Sequence, residues 1–139
     1  MKIGIISDTH SWLDPGTKMH LESCSEIWHA GDVGTHEVIE QLKSWAEVRA
    51  VFGNIDGGKV RTDYKEVEVF EVEGIKVLMI HIANKPPSYS AQVRKLIQMH
   101  RPRILVCGHS HILRVLNDKP NNLLFINPGA CLLYTSDAA

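Results

Sequence analysis

The stretch "CGHSHIL", residues 107–113, places two histidines directly after a short apolar run. Residues 103–107 predict a buried strand, because apolar side chains follow one another without interruption from Ile104 to Cys107. His109 and His111 come next, two residues apart. On an extended chain, side chains two residues apart point the same way. Both imidazoles are therefore predicted to face one site.

The bulk composition bounds the class of protein. The chain has 139 residues, 44% of them hydrophobic and 22% charged, which predicts a single globular domain over residues 1–139 with a sizeable core. The net charge of −1 argues against strong nucleic-acid binding. No apolar run is long enough to cross a bilayer, and the start of the chain lacks a signal-peptide pattern. Three cysteines without CxxC spacing indicate a reducing compartment. We therefore expect a cytoplasmic protein without a membrane partner, and we leave homo-oligomerisation open.

The hydrophobic pattern predicts alternating strands and helices. Residues 67–72 and 75–80 form a predicted hairpin around Gly74, and Ser88 or Ser90 is expected to begin a helix that stops before Pro102. The remaining predicted strands cover residues 3–6, 26–29, 48–52, 103–107, 112–117 and 122–126, and further helices are predicted from Asp14 to about Cys24 and from Thr35 to Trp45.

Each predicted buried strand is followed by polar side chains that can bind a ligand. In open α/β sheets, ligands bind in the crevice beyond the carboxyl ends of the strands. We therefore expect these side chains to converge at one edge. The residues in question are Asp8, His10, Asp32, Asn54, Asp56, His81, His109 and His111.

The chemistry of this set predicts a metal centre. Taken singly, Asp8 would cap a turn, Asn54 beside Gly53 would mark a turn, and His81 would be a core histidine. Together, imidazole, carboxylate and amide groups suit Mn, Fe, Co, Ni or Zn better than Ca or a thiolate-bound metal. Apart from Asp56, the set offers seven ligands, which are too many for one ion and about right for two, and two ions about 4 Å apart can clamp an in-line displacement at phosphorus.

The order of these motifs resembles a known family. "DTH" at 8–10, "GD" at 31–32, "GNID" at 53–56, a lone His81 and "GHSH" at 108–111 are similar to the motifs of the calcineurin-like metallophosphoesterases. The spacing, with "INPGA" at 126–130, resembles the small single-domain bacterial and archaeal phosphodiesterases of that superfamily. The resemblance implies an α/β fold, a four-layer α-β-β-α sandwich of two mixed sheets with helices outside.

The resemblance also implies a role for each ligand. Asp8, His10 and His111 would hold one metal ion, and Asn54, His81 and His109 the other. Asp32 would bridge them, and a metal-bridging hydroxide would attack phosphorus in line. Asp32, Asn54 and His109 are the residues expected to act in catalysis. The cofactors are then two divalent ions, with Mn favoured over Ni, Fe, Co or Zn, and the partner is a small phosphodiester.

Three further positions modify this expectation. His29, just before the "GD" motif, is expected to be structural or to support a ligand. Asp56 is expected to hydrogen-bond loop backbone or to orient a metal-binding histidine, in preference to binding substrate or donating a proton. Ile55 stands where many relatives carry a histidine that helps to bind phosphate or to protonate the leaving group. This departure favours diesters with good leaving groups.

The same fold and metal ligands are compatible with two other functions, and the C-terminal residues carry a separate prediction. A phosphomonoesterase or phosphoprotein phosphatase would use the same metals. In eukaryotes the fold also serves as a non-catalytic retromer subunit with a degraded metal set, whereas the set here is complete. "LLYTSDAA" at 132–139 does not resemble the relatives' continuation. It predicts a non-native tail on a truncated reading frame that lacks edge strands of the second sheet.

Overall fold

The computed structural model describes residues 1–130. The predictions for Cys131 and for the tail at 132–139 fall outside the described residues. Within residues 1–130, eight strands and four α-helices follow one another. In order they are β1 (Ile3–Ile6), α1 (Thr17–Leu21), β2 (Glu26–His29), α2 (His36–Lys43), β3 (Glu47–Ala50), α3 (Gly58–Asp63), β4 (Val67–Val72), β5 (Ile75–Ile80), α4 (Ala91–His100), β6 (Ile104–Val106), β7 (Arg114–Asp118) and β8 (Leu123–Asn127), with a short 3-10 helix at Lys119–Asn121 before β8.

Two sheets share these strands. The first has the order β1-β2-β3 and is parallel throughout, with Ile6 paired to His29 and His29 paired to Ala50. The second has the order β4-β5-β6-β8-β7, in which β5, β6 and β8 run parallel while β4 and β7 run antiparallel to their neighbours. The predicted hairpin is confirmed as β4 and β5. Glu73 and Gly74 form its turn with φ of 50° and 80°, a conformation that matches the twist of the paired strands.

Three apolar clusters define the layers. Trp28 of the first sheet and Val51, directly after β3, pack with Val77, Met79 and Val106 of the second sheet, so the sheets lie face to face. The outer face of the first sheet packs on α1, α2 and α3, and that of the second packs on α4. The α-β-β-α sandwich is therefore confirmed. Within residues 1–130 only the second sheet is mixed, because each connection in the first is a crossover that contains a helix.

The helix boundaries follow local capping. Ser90 begins α4, with its side chain accepting a hydrogen bond from the Val93 amide at 3.2 Å, and Arg101 ends it in a left-handed conformation before Pro102. The first helix is shorter than predicted. The Asp14 carboxylate accepts from the Gly16 amide at 2.9 Å, so it caps a turn and the helix begins only at Thr17.

The helix α3 was not predicted. It begins beside Gly57 and Gly58, and Val60 is its one buried residue, so the sequence carries neither a strong cap nor an apolar stripe. No helix in residues 1–130 is long and apolar enough to cross a membrane.

Candidate metal centre

Two groups of side chains bring potential metal ligands together. One consists of Asp8, His10 and His111, the other of Asp32, His81 and His109, and within each group the donor atoms lie within 4.8 Å of one another. The loops after β1, β2, β5 and β6 supply all six residues. The structure thus brings six of the seven predicted ligands to one edge of the sandwich, with Asp32, the expected bridge, grouped with His81 and His109.

The two carboxylates lie between the groups. Oδ2 of Asp32 is 3.2 Å from Nε2 of His81 and 3.8 Å from Nε2 of His10, which belongs to the other group. Oδ1 of Asp8 is likewise 3.2 Å from Nε2 of His111 and 3.8 Å from Nε2 of His81. The predicted bridging position of Asp32 is therefore compatible with this geometry, and Asp8 also faces both groups.

The centre contains buried polar atoms that suit a cation. Within residues 1–130, Oδ1 of Asp8 and Nε2 of both His10 and His81 are buried and have no hydrogen-bond partner. Each such atom typically costs about 1–3 kcal/mol when left unsatisfied. Carboxylate oxygens and imidazole nitrogens are good ligands for divalent transition ions. The residues present therefore fit a metal centre.

Backbone groups fix the orientation of both carboxylates. Oδ2 of Asp8 accepts from the His109 amide at 3.1 Å and from the Ser7 hydroxyl, which leaves Oδ1 facing the centre. Oδ1 of Asp32 accepts from the Ile55 amide at 3.1 Å, which leaves Oδ2 facing the centre. Each carboxylate thus has one oxygen held by the protein and one available to a metal ion.

The His81 ring is held in the same way. Its Nδ1 lies 2.7 Å from the carbonyl oxygen of Ala30, so Nδ1 carries the proton and Nε2 presents its lone pair to the centre. Gly31, with φ of 102°, passes so close that a Cβ there would come within 2.6 Å of Nδ1. A glycine is therefore required beside this ligand.

Backbone strain concentrates at the centre. Asp8, His10, Asp32, His109 and His111 all have positive φ, at 55°, 48°, 56°, 74° and 64°. A non-glycine residue in this region costs roughly 1–2 kcal/mol. The prediction that His109 and His111 lie on an extended chain is therefore wrong. The chain bends at both residues, and this bend sends His109 to one group and His111 to the other.

Asn54 is the remaining predicted ligand. It is exposed in the loop after β3, and its side chain takes part in no hydrogen bond within residues 1–130. The amide of the next residue, Ile55, donates to Asp32, so the Asn54 loop lies directly against the centre.

Asp56 holds that loop in place. Its carboxylate accepts from the amides of Val33 at 3.1 Å, Gly34 at 2.9 Å and Gly53 at 2.8 Å, so it ties the loop after β2 to the loop after β3. The side chain of Arg61, which lies on helix α3, donates to the Asp56 carbonyl at 2.9 Å. These contacts agree with the expected hydrogen bonding to loop backbone.

His29 is a buried structural residue. Its Nδ1 accepts from the Gly31 amide at 3.1 Å, so its Nε2 carries the proton and donates to the Thr9 hydroxyl at 3.0 Å. Thr9 in turn donates to the Val33 carbonyl at 2.8 Å. Burial lowers the pKa of His29 to about 3. The roles of Thr9 and Ser7 have no signature in the sequence, because serine and threonine beside an aspartate are common in turns.

The pKa of His29 predicts a pH-dependent stability. Above pH 6.5 the residue is neutral in both the folded and the unfolded chain, so it contributes no dependence. Between pH 6.5 and 3 the unfolded chain binds the proton first, so the free energy of unfolding falls by roughly 1.4 kcal/mol per pH unit. His29→Gln removes this term. Urea unfolding of metal-free protein should show that the free energy of unfolding of wild type falls by about 2 kcal/mol more than that of the variant between pH 7 and pH 5. A difference between the two proteins that stays constant with pH would contradict the pKa assigned to His29.

Two sheets packed face to face, with two groups of potential metal ligands at a shared edge, are compatible with a metal-dependent enzyme. A model of the calcineurin-like phosphoesterase superfamily domain matches residues 1–138. The chain belongs to this superfamily and is a metallophosphoesterase. The resemblance seen in the sequence is confirmed.

Individual proteins similar to this chain support the assignment to the superfamily. A probable metallophosphoesterase of Methanocaldococcus jannaschii is 31% identical over 136 residues, which cover 94% of this chain and 68% of that protein. A phosphodiesterase of the same organism is 27% identical over 151 residues, covering 96% of this chain and 86% of that protein. The crystal structure of Vps29 from Entamoeba histolytica, complexed with Zn²⁺, has a TM-score of 0.78 at 21% identity and covers all of this chain and 79% of that one. This last likeness concerns the fold.

Proposed function

We propose that this metallophosphoesterase is a phosphodiesterase that works with a dinuclear metal centre. One observation carries the proposal. Two separate groups of three donors lie side by side, with Asp32 and Asp8 each within 4 Å of a histidine from both groups. A centre for one ion would need only one such group.

Each ligand takes a distinct part in the proposal. One ion would be held by Asp8, His10 and His111, the second by Asn54, His81 and His109, with Asp32 shared by both. When bound, the two ions lower the pKa of an attacking water and neutralise charge on the phosphoryl oxygens during in-line displacement. Backbone hydrogen bonds keep Asp8, Asp32 and His81 oriented, which limits reorganisation during the reaction.

The chemical types of the ligands limit the choice of metal ion. Imidazole nitrogens combined with carboxylate and amide oxygens suit first-row divalent ions, and no described cysteine faces the centre. We propose Mn²⁺ as the working ion, with Ni²⁺, Fe²⁺, Co²⁺ and Zn²⁺ as alternatives to test. The free, buried Cys24 and Cys107 support a reducing cytoplasmic location.

The loop after β3 supports a diester as substrate. Ile55 is 49% exposed beside Asp32 and offers no proton to a leaving group. Reactions that depend least on such a proton are those with acidic leaving groups, as in aryl or nucleotidyl diesters. One relative in Methanocaldococcus jannaschii is named a phosphodiesterase.

A substitution at position 55 tests this substrate preference. Wild type loaded with Mn²⁺ should hydrolyse bis(4-nitrophenyl) phosphate with a higher kcat/KM than an alkyl monoester such as glycerol 2-phosphate, whose poor leaving group needs a proton. Because the Ile55 side chain is exposed, Ile55→His should fold normally and raise the monoester-to-diester ratio about tenfold, a modest part of what a general acid contributes. Ile55→Gln, which is polar but does not titrate, is the matched control. A wild type that prefers the monoester would favour the phosphomonoesterase alternative, and the absence of turnover with every metal would favour the scaffold.

A further inference from the structure

A cleft opens beside the metal centre. It has a volume of about 290 Å³, at the lower end of the range for small-molecule sites, and His109 forms part of its wall. Ile82 and Ile112 line it and are 39% and 50% exposed, although each directly follows a metal-binding candidate in the sequence. A cavity of this size and lining accommodates an aromatic ring or another flat apolar group.

The base of the cleft is fixed. The side-chain amide of Asn127 donates to the Gly108 carbonyl and to the Ser110 hydroxyl, both at 3.0 Å. All three residues line the cleft, and Asn127 is paired in the sheet with Arg114. The "INPGA" segment therefore connects the "GHSH" loop to the strand that carries Arg114, which sets the distance between His109 and this arginine.

The charge of the cleft is entirely positive. Arg114 and Lys85 line it, and none of its lining residues is an aspartate or glutamate within the described part of the chain. Arg114 is half-buried, yet its guanidinium makes no hydrogen bond or ion pair with any other residue of 1–130. Arg94, Arg101 and Arg103 also lack a partner among residues 1–130, but each is exposed, whereas Arg49 is paired with Glu26 and Arg61 with the Asp56 carbonyl. A guanidinium held in a cleft with no partner is suited to an anionic group of a ligand.

We propose that this cleft receives one arm of the diester and selects an arm in which a flat apolar group carries a second anion, a carboxylate or a phosphate. The apolar group lies between Ile82 and Ile112, and the anion is bound by Arg114 with help from the more exposed Lys85. This inference rests on the proposed phosphodiesterase function and specifies its substrate class. Arg114 is then a specificity residue that touches the substrate at a distance from the reacting phosphorus.

The test uses two symmetrical substrates, so that either arm can enter the cleft. These are bis(4-carboxyphenyl) phosphate, which carries an anion on each arm, and the neutral isostere bis(4-carbamoylphenyl) phosphate. The readout is the ratio of their kcat/KM values, measured with the Mn²⁺-loaded 139-residue protein. Any intrinsic difference between the leaving groups, and any difference in metal loading, cancels when a variant's ratio is compared with that of wild type.

Arg114→Gln should lower the carboxylate-to-carboxamide ratio by about tenfold or more, the size expected for a lost charge-assisted hydrogen bond. Arg114→Lys should keep part of the preference, because it keeps the charge. Lys85→Gln should have a smaller effect, because an exposed charge is screened. Arg103→Gln is the matched control. It removes the same charge from an exposed arginine at the opposite end of β6, and should leave the ratio within about twofold.

The outcomes separate the two proposals. If wild type hydrolyses both diesters but Arg114→Gln and Arg103→Gln change the ratio equally, the cleft assignment is overturned and the phosphodiesterase proposal stands. If Mn²⁺-loaded wild type hydrolyses neither these diesters nor bis(4-nitrophenyl) phosphate, both proposals are overturned. A fall in the ratio confined to Arg114 and Lys85 supports the cleft assignment.

Discussion

Removal of divalent ions is expected to reduce diester hydrolysis by at least roughly 10³-fold, since a metal centre contributes several kcal/mol to such a reaction. Among residues 1–130, no hydroxyl or thiol at the centre is both exposed and paired with a base of its own. Thr9 and His29 resemble a nucleophile with its base, but both are fully buried. His29 Nε2 also donates a hydrogen bond to the Thr9 hydroxyl, so it cannot accept the hydroxyl proton. Cys107 is 1% exposed, and burial raises the pKa of its thiol to about 12.

This loss should be reversible. Protein treated with a chelator, freed of it by gel filtration and supplied with Mn²⁺ or Ni²⁺ should regain its activity on bis(4-nitrophenyl) phosphate. Far-ultraviolet circular dichroism of the metal-free protein is the control for folding. Because the metal-binding residues lie on loops at one edge while three apolar clusters hold the sheets and helices, we expect the spectrum to change little. Sustained turnover by rigorously metal-free protein would contradict the mechanism.

Asp32→Asn is expected to lower kcat/KM by more than about 100-fold, beyond the 10- to 100-fold typical when a residue that only supports a ligand is lost. The reason lies in the two oxygens of Asp32. Oδ1 accepts from the Ile55 amide, and Oδ2 faces His81 and His10. An asparagine that keeps the first contact turns its NH₂ group toward the metal ions. In the flipped orientation the NH₂ group of the asparagine points at the Ile55 amide, so that two N–H donors face each other.

Asp56→Asn is a matched control for this prediction, because it changes the same chemical group in an adjoining loop. Its carboxylate accepts three backbone hydrogen bonds but does not belong to either donor group. We expect this variant to lose mainly stability. At a temperature where it is folded, its activity should fall much less than that of Asp32→Asn. Equal losses of activity in the two folded variants would mean that Asp32 acts only by supporting the loops.

The location of the centre could be predicted from the sequence because two simple patterns coincide. Continuous apolar runs identify strands buried on both faces, and parallel strands deliver their following residues to one edge. This logic placed Asp8, Asp32, His81 and His109 together without any knowledge of side-chain geometry. The resemblance to a family added the division into two groups.

Other features depend on information that the sequence does not display. The left-handed backbone at His109 and His111 comes from tertiary contacts, such as the Asn127 amide that holds Gly108 and Ser110. Helix α3 has almost no apolar periodicity, yet its Arg61 secures the Asp56 loop. Local propensity gives no sign of such long-range hydrogen bonds.

Counting the metal ions in three proteins tests the dinuclear centre most directly. Wild type, Asp32→Asn and Asn54→Ala are loaded with Mn²⁺, freed of excess ion and examined by elemental analysis against protein concentration. Because Asp32 faces both donor groups, Asp32→Asn should lower the occupancy of both sites together. Asn54→Ala should mainly empty one. The account predicts two ions per wild-type chain, about one in Asn54→Ala and close to none in Asp32→Asn. A single ion in fully active wild type, or equal losses in the two variants, would contradict it.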